Sequence, residues 1–331
     1  MKHTLKLLFM FLLILSLSKT EAQKKVKYDG FVELGEEVVY KELYVQGFVR
    51  SKLEFKLDLN KRTEVELDIR AYSDQEQIEL HEASVEYEIS KSLEVAFGQL
   101  KKGFGKEEMT SRENLKLIQR SFVNRYLSPF GYVSRDPGIH VKWENKEEEI
   151  LAGIFYNNSH NLTLMTRYIK RNILGFNSIG AGLHIVRHFN QKALDNSYAA
   201  SLDFSRRLGE WDNDLELFFG TDPQKSSLNN IAGIDEDVNF FAVKLKSAYK
   251  FVYDNTILRG IEPIMLLGMI VPDTENFDVN KYQFLIGLNI YIDDDIRFMI
   301  NGDLILSNNK MDKNERTLFG SNAMAQLQVR W

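Results

Sequence analysis

The amino-acid sequence predicts an all-β chain: a transmembrane antiparallel up-and-down β-barrel of about 16 strands, with 14 as the alternative count. Three observations carry this expectation. Apolar and polar residues alternate with a period of two along most of the chain. The runs that alternate are longer than the roughly 5–6 residues usual in globular strands. The polar connections between them are alternately short and long, as in barrels with short turns at one rim and longer loops at the other.

The first residues resemble a secretory leader. Lys2, His3 and Lys6 form a basic start, Leu7 to Leu17 an apolar core, and Thr20-Glu21-Ala22 a cleavage site with small residues at the recognition positions. The apolar run of about 11 residues is too short to cross a bilayer, which takes about 20 residues of helix. Residues 1–22 are therefore expected to be removed, leaving 23–331 as the mature chain. Removal takes away three Lys and one Glu from 42 basic and 47 acidic residues, leaving 39 against 46, a net charge of −7. An acidic chain of this kind carries no basic footprint for nucleic acid. The sequence contains no cysteine, so a secreted chain must be held by burial or by a closed hydrogen-bond network.

The strands follow in order. Residues around 28–37 supply the first. In 44–59 the odd positions Val45, Val49, Leu53, Phe55 and Leu57 alternate with Gln46, Arg50, Lys52, Glu54, Lys56 and Asp58. After the turn at 60–62, Val65, Leu67 and Ile69 alternate with Glu64, Glu66, Asp68 and Arg70. The pattern continues at 83–89, 93–97, 139–143, 179–185, 200–204, 215–219, 241–245, 282–292 and 296–300. Residues 257–271 are apolar on both faces, so their orientation stays open. Short polar turns are expected at 60–62, 90–92, 145–148, 207–209, 252–254 and 293–295. Longer connections are expected at 101–137, 157–161, 188–196, 221–238, 272–280 and 308–316, with a brief one at 73–76. Helical patterning is confined to 107–126.

In the last run, Ala323, Ala325, Leu327, Val329 and Trp331 alternate with Asn322, Gln326, Gln328 and Arg330. A terminal aromatic strand behind a secretory leader points to a bacterial outer membrane. In lipid every backbone polar group must be paired, so the strands must close on one another. A closed barrel of about 16 strands is too wide for side chains to fill. The residues assigned to its inner wall include Arg50, Lys52, Lys56, Arg70, Lys142 and Arg297, which require water inside. The apolar face is then left to outer-membrane lipid. Aromatic residues such as Tyr28, Tyr40, Tyr44, Tyr249 and Phe251 lie near strand ends, where a girdle at each membrane interface would put them.

The segment 97–141 is more specific. It reads Phe97-Gly-Gln-Leu-Lys-Lys-Gly-Phe-Gly-Lys-Glu107, passes through Gln119-Arg120-Ser121, and ends Ser134-Arg-Asp-Pro-Gly-Ile-His-Val141. This block resembles the phosphate-selective porin O/P family, in which a Gly-Gln-Phe/Leu-Lys strand end leads through Phe-Gly-x-Glu and Arg-Ser to an Arg-Asp-x-Gly-Val strand start. The resemblance implies a trimeric 16-stranded porin whose long loop, here about 101–137, folds into the lumen and narrows it. It further implies passive diffusion of small hydrophilic solutes, anions such as phosphate among them, past the loop's Lys101, Lys102, Lys106, Arg112, Lys116, Arg120, Arg125 and Arg135. A ring of Lys and Arg favours anions by replacing part of their lost hydration. Glu107, Glu108, Glu113 and Asp136 dilute that charge.

A channel specific for a sugar or a carboxylate is the runner-up reading. A catalytic role is not expected: no Gly-x-Ser-x-Gly occurs, and Ser159-His160 and Ser197 near His188 form no recognisable constellation. No metal or cofactor is expected either, since the histidines lack ligand spacing and cysteine is absent. Asp293-Asp294-Asp295 reads as a solvated hairpin turn.

Overall fold

The computed structural model describes residues 26–40, 44–157, 161–189, 196–226, 237–253, 258–275, 280–307 and 321–331. The predicted leader lies outside them. The chain is a closed antiparallel barrel of 16 strands. The strands are β1 (Val26–Val39), β2 (Tyr44–Asn60), β3 (Thr63–Tyr72), β4 (Gln77–Ser90), β5 (Leu93–Lys101), β6 (Arg135–Glu144), β7 (Glu148–Tyr156) and β8 (Asn161–Ile173). The second half comprises β9 (Phe176–His188), β10 (Asn196–Leu208), β11 (Trp211–Thr221), β12 (Asn239–Tyr249, extended by Phe251–Val252), β13 (Gly260–Val271), β14 (Lys281–Tyr291), β15 (Ile296–Ser307) and β16 (Asn322–Arg330). Each pairs with its neighbours in sequence. β16 then pairs with β1, from Phe31↔Arg330 to Val39↔Asn322. Closure removes the edge that an open sheet would leave unpaired in lipid.

The alternation fixes which face meets what. Along β2 the odd residues point outward, Val45 being 63% exposed, while Arg50 and Lys52 point into the barrel and are buried. The ambiguous run 260–271 resolves in the same way. Met265 and Leu267 face out, while Ile264 and Leu266 face in, where Leu117 of the long loop covers them. Those inward apolar residues are therefore an internal contact surface. Among the described residues no helix is long and apolar enough to cross a membrane. The wall crosses with strands.

Three local features differ from the sequence reading. The turn between β8 and β9 escaped it: Leu174 and Gly175, at φ 52° and 80°, make a two-residue hairpin closed by the Ile173↔Phe176 pair. Two positive φ values in succession define the tight turn that matches strand twist, but leucine rarely marks such a site. The turn expected at 207–209 is Gly209-Glu210, between the ends of β10 and β11. The long loop itself is 102–134, because Lys101 ends β5 and Arg135 begins β6.

At the closing seam, Gly30 and Trp331 exchange backbone hydrogen bonds of 3.3 and 3.1 Å. The indole lies against the Gly30 Cα. A Cβ there would come within 2.7 Å of the ring, so this approach requires glycine.

Candidate pore constriction

The long loop leaves β5, crosses the inside of the barrel and returns to β6. Its helical content is two short α-helical pieces, α1 (Lys106–Met109) and α2 (Phe122–Leu127), joined by irregular chain with a 3-10 turn at Arg112–Asn114, and a second 3-10 turn at Ser128–Phe130 directly after α2. Ser121 caps α2, its Oγ accepting the Asn124 N–H at 3.2 Å.

An apolar face explains why the loop stays inside. Phe104, Val123, Leu127, Phe130, Tyr132 and Val133 pack against wall residues Val186, Ala199, Phe218, Phe240, Ala242 and Ile270 in one buried cluster. Phe104 stacks at centroid distances of 5.5 Å from Phe218 and 5.8 Å from Tyr132. The Tyr132 hydroxyl donates to the carbonyls of Thr221 at 2.9 Å and Tyr198 at 3.1 Å, so its polar end is satisfied as well. Ile118 packs on Phe48, Met299 and Met324, and Met109 on Ala96, Leu100, Leu151, Phe155 and Met165. The loop thus touches walls far apart on the barrel circumference.

Charge reinforces these contacts. Of the eight basic residues singled out in the loop, seven have a carboxylate partner. Lys102 pairs with Asp136 at 2.6 Å, Arg112 with Glu33 at 2.9 Å, Arg125 with Asp303 at 3.2 Å and Arg135 with Glu82 at 3.0 Å. Lys116 bridges Glu262 at 2.6 Å and Asp212 at 3.0 Å, and Lys106 pairs with Asp214. Arg120 lies 3.6 Å from Glu108. Its guanidinium donates to the carbonyls of Glu107, within α1, and of Thr110, directly after it. Lys101 donates to the Met109 carbonyl at 3.3 Å.

The six wall residues are engaged in the same way. Arg50 pairs with Asp74 at 2.9 Å, and Arg70 with Asp68 at 2.9 Å. Lys52 pairs with Glu54 and reaches Glu113 of the loop at 3.0 Å. Lys56 lies between Glu54 and Glu66 at 3.1 and 3.0 Å, and Lys142 between Glu94 and Glu144 at 3.8 and 3.6 Å. Arg297 instead donates to the Gln328 side chain at 2.8 Å and the Glu113 carbonyl at 2.9 Å.

The arrangement also brings in acidic residues that sequence reasoning did not single out. Glu33, Asp212, Asp214 and Glu262, with Asp303, which alternation places on the inner wall, are wall carboxylates that receive the loop's cations. Period-two alternation placed some of them inside, but which cation each would meet depends on a loop path the sequence does not encode locally. The aromatic cluster left a readable trace. Phe122 to Val133 is too apolar for a loop in water, and only an inward path buries it. Among the described residues no group of three or more His, Cys, Asp or Glu side chains is placed to hold a metal ion.

Beside α1 lies a cavity of about 390 Å³, bounded by Lys106, Met109 and Thr110 on the loop and by Arg167, Arg171 and Asp203 on the wall. Arg167 is buried and pairs with Asp203 at 2.7 Å.

A family model described as phosphate-selective porin O and P matches residues 28–207, more than half of the chain. No curated protein matches it in sequence. Solved structures share the fold at low identity. The trimer form of the outer-membrane protein OmpT of Vibrio cholerae aligns with a TM-score of 0.65 at 8% identity, covering 94% of this chain and 100% of that one. The anion-selective porin from Comamonas acidovorans aligns at 0.63 with 10% identity, covering 93% and 100%. The outer-membrane channel DcaP of Acinetobacter baumannii aligns at 0.65 with 10% identity, covering 95% and 99%.

Proposed function

The chain belongs to the phosphate-selective porin O and P family, and from that premise we propose how its lumen selects solutes. It is a channel of the bacterial outer membrane. The mature chain, residues 23–331, passes small hydrophilic solutes by passive diffusion and assembles as a homotrimer. Support for the trimer comes from the trimer form of the OmpT neighbour. Anions such as phosphate are admitted, but with only a modest preference over cations.

One observation carries that last point: seven of the loop's eight expected cations stand within ion-pair distance of a carboxylate. A ring of free Lys and Arg lowers the barrier for anions; a ring of compensated pairs presents dipoles instead and lowers it far less. The basic residues of 102–134 act chiefly to hold the loop across the lumen. The cavity beside α1 supports a second reading, a channel specific for solutes that carry both an anionic group and hydrogen-bond donors, since it offers Arg167 and Asp203 together.

Planar-bilayer recording on the purified protein tests both readings. Stepwise conductance with a reversal potential near zero in a salt gradient is the expected outcome. Absence of steps removes the channel reading, and a strongly anion-selective reversal potential removes the compensated-pair account. Block of current by a small hydroxy acid, with no block by acetate, would favour the second reading.

A further inference from the structure

Glu107 enters the sequence reading only as charge that dilutes a basic loop. In the structure it is where two limbs of the loop and two wall strands meet. Its Oε1 accepts the Ser121 N–H at 2.6 Å, and its Oε2 accepts the Ser121 hydroxyl at 2.6 Å and the Lys244 ammonium. Lys244, on β12, also pairs with Glu216 of β11 at 2.9 Å. The Glu216 carboxylate in turn accepts the Glu107 N–H at 3.2 and 3.3 Å. Arg120, next to Ser121, donates to the Glu107 carbonyl. All three charged partners are buried, Glu107 at 8%, Glu216 at 3% and Lys244 at 2% exposure. A buried charge set of this kind holds only while every member is present, because removing one leaves the others desolvated and uncompensated.

The limb so fixed is α1 with Thr110. It carries Lys106, Met109 and Thr110, one whole side of the 390 Å³ cavity. We propose that Glu107 is the positioning residue of the constriction: the Glu107–Lys244–Glu216 latch sets where α1 stands in the lumen, and thereby the width of the passage beside it. The proposal rests on the reading of the lumen as the conducting path. Lys106 and Arg112, two of the loop's eight expected selectivity residues, are then placed by the latch. The aromatic cluster anchors the other limb, 122–133, and holds this one only at its start through Phe104, so the latch governs the part of the segment beyond it.

Because the chain has no cysteine, a single M109C substitution reports on this limb. Met109 is half-buried, packed against Ala96, Leu100, Leu151, Phe155 and Met165, so in the otherwise native protein the thiol should react more slowly with a small water-soluble thiol reagent than a fully exposed one. Adding Lys244→Met, which leaves Glu107 and Glu216 facing each other without their shared cation, should speed labelling roughly tenfold or more by populating a displaced limb. It should also raise single-channel conductance and its noise. Lys244→Arg should restore slow labelling, a result that simple loss of packing does not predict. A folded Lys244→Met barrel, recognised by its heat-dependent gel mobility, that labels and conducts like its parent overturns the proposal. Should that variant fail to fold, Glu107→Gln decides the matter: it keeps the side-chain shape, removes the charge, and must also accelerate labelling. If the native protein shows no conductance, the channel reading falls while the labelling rates still judge the latch.

Discussion

Neutralising Arg112, Lys116 and Arg120 together should turn the lumen toward cations, and the structure supplies the size of the change. Arg112 faces Glu33 at 2.9 Å, and Lys116 faces Glu262 and Asp212 at 2.6 and 3.0 Å. In the variant Arg112→Gln, Lys116→Met, Arg120→Gln these carboxylates stay while three positive charges leave. An ion passing about 7 Å from a unit charge in water feels roughly 0.6 kcal/mol, so three charges amount to about 1.8 kcal/mol, or about 20-fold in the permeability of that ion. Screening over a Debye length of about 10 Å at 0.1 M salt roughly halves the energy and leaves about a 5-fold shift for each ion. The assay is the reversal potential in a salt gradient, parent against variant, repeated at low and high ionic strength. Cations gain and anions lose by the same factor, so the cation-to-anion permeability ratio should rise about 20-fold at 0.1 M and less at 1 M. An unchanged ratio would mean that these three residues do not line the conducting path, and the compensated-pair account of selectivity would fail with it.

Three further outcomes follow from the packing and the charges. Phe104→Ala removes a fully buried ring from the loop's cluster, a loss of about 3–5 kcal/mol. That loss should fall on loop docking, so the M109C thiol labels faster while the barrel's heat-dependent gel shift keeps its midpoint; a large drop in that midpoint would show that loop and wall do not separate. Gly30→Val places a side chain where the Trp331 ring lies and should lower the midpoint of the gel shift, with an unchanged midpoint refuting the seam's role. Burial pushes the Glu107 carboxyl up, but Lys244 and Arg120 outweigh it and hold the group well below the usual carboxylate range. Its contribution is therefore full above the unfolded value and lost only as pH falls through the lower folded one. At about pH 4, where a free glutamate is half protonated, M109C labelling should remain slow, and acceleration there would contradict the assignment.

The wall was legible because its code is local. A residue such as Leu53 or Lys52 declares its face by its parity alone, and the long run from Tyr44 to Asn60 repeats that declaration many times. The turn at Leu174-Gly175 was missed for the converse reason. This two-residue turn takes positive φ at both positions, and leucine at the first of them looks like strand. The family resemblance implies an inward loop path but none of its contacts, since Lys116 meets Glu262 146 residues away and Glu107 meets Lys244 137 residues away. Nothing at either position predicts the other.

That difference bears on how selectivity should be read from sequences of this kind. Counting the loop's charges gives eight basic against four acidic residues and suggests an anion filter. The count stops at the loop, whereas compensation comes from the wall: Glu33, Glu82, Asp212, Asp214, Glu262 and Asp303 all sit on strands. A barrel must carry polar residues on alternate inward positions to keep its lumen wet, and acidic ones among them cost nothing until a loop brings cations to meet them. The same loop charges would leave a positive ring against a neutral wall and leave almost none against this one. Selectivity is thus a property of the loop and wall together. On the proposed function, the wall's carboxylates in this chain turn what reads as a filter into the fastening that holds the constriction in place.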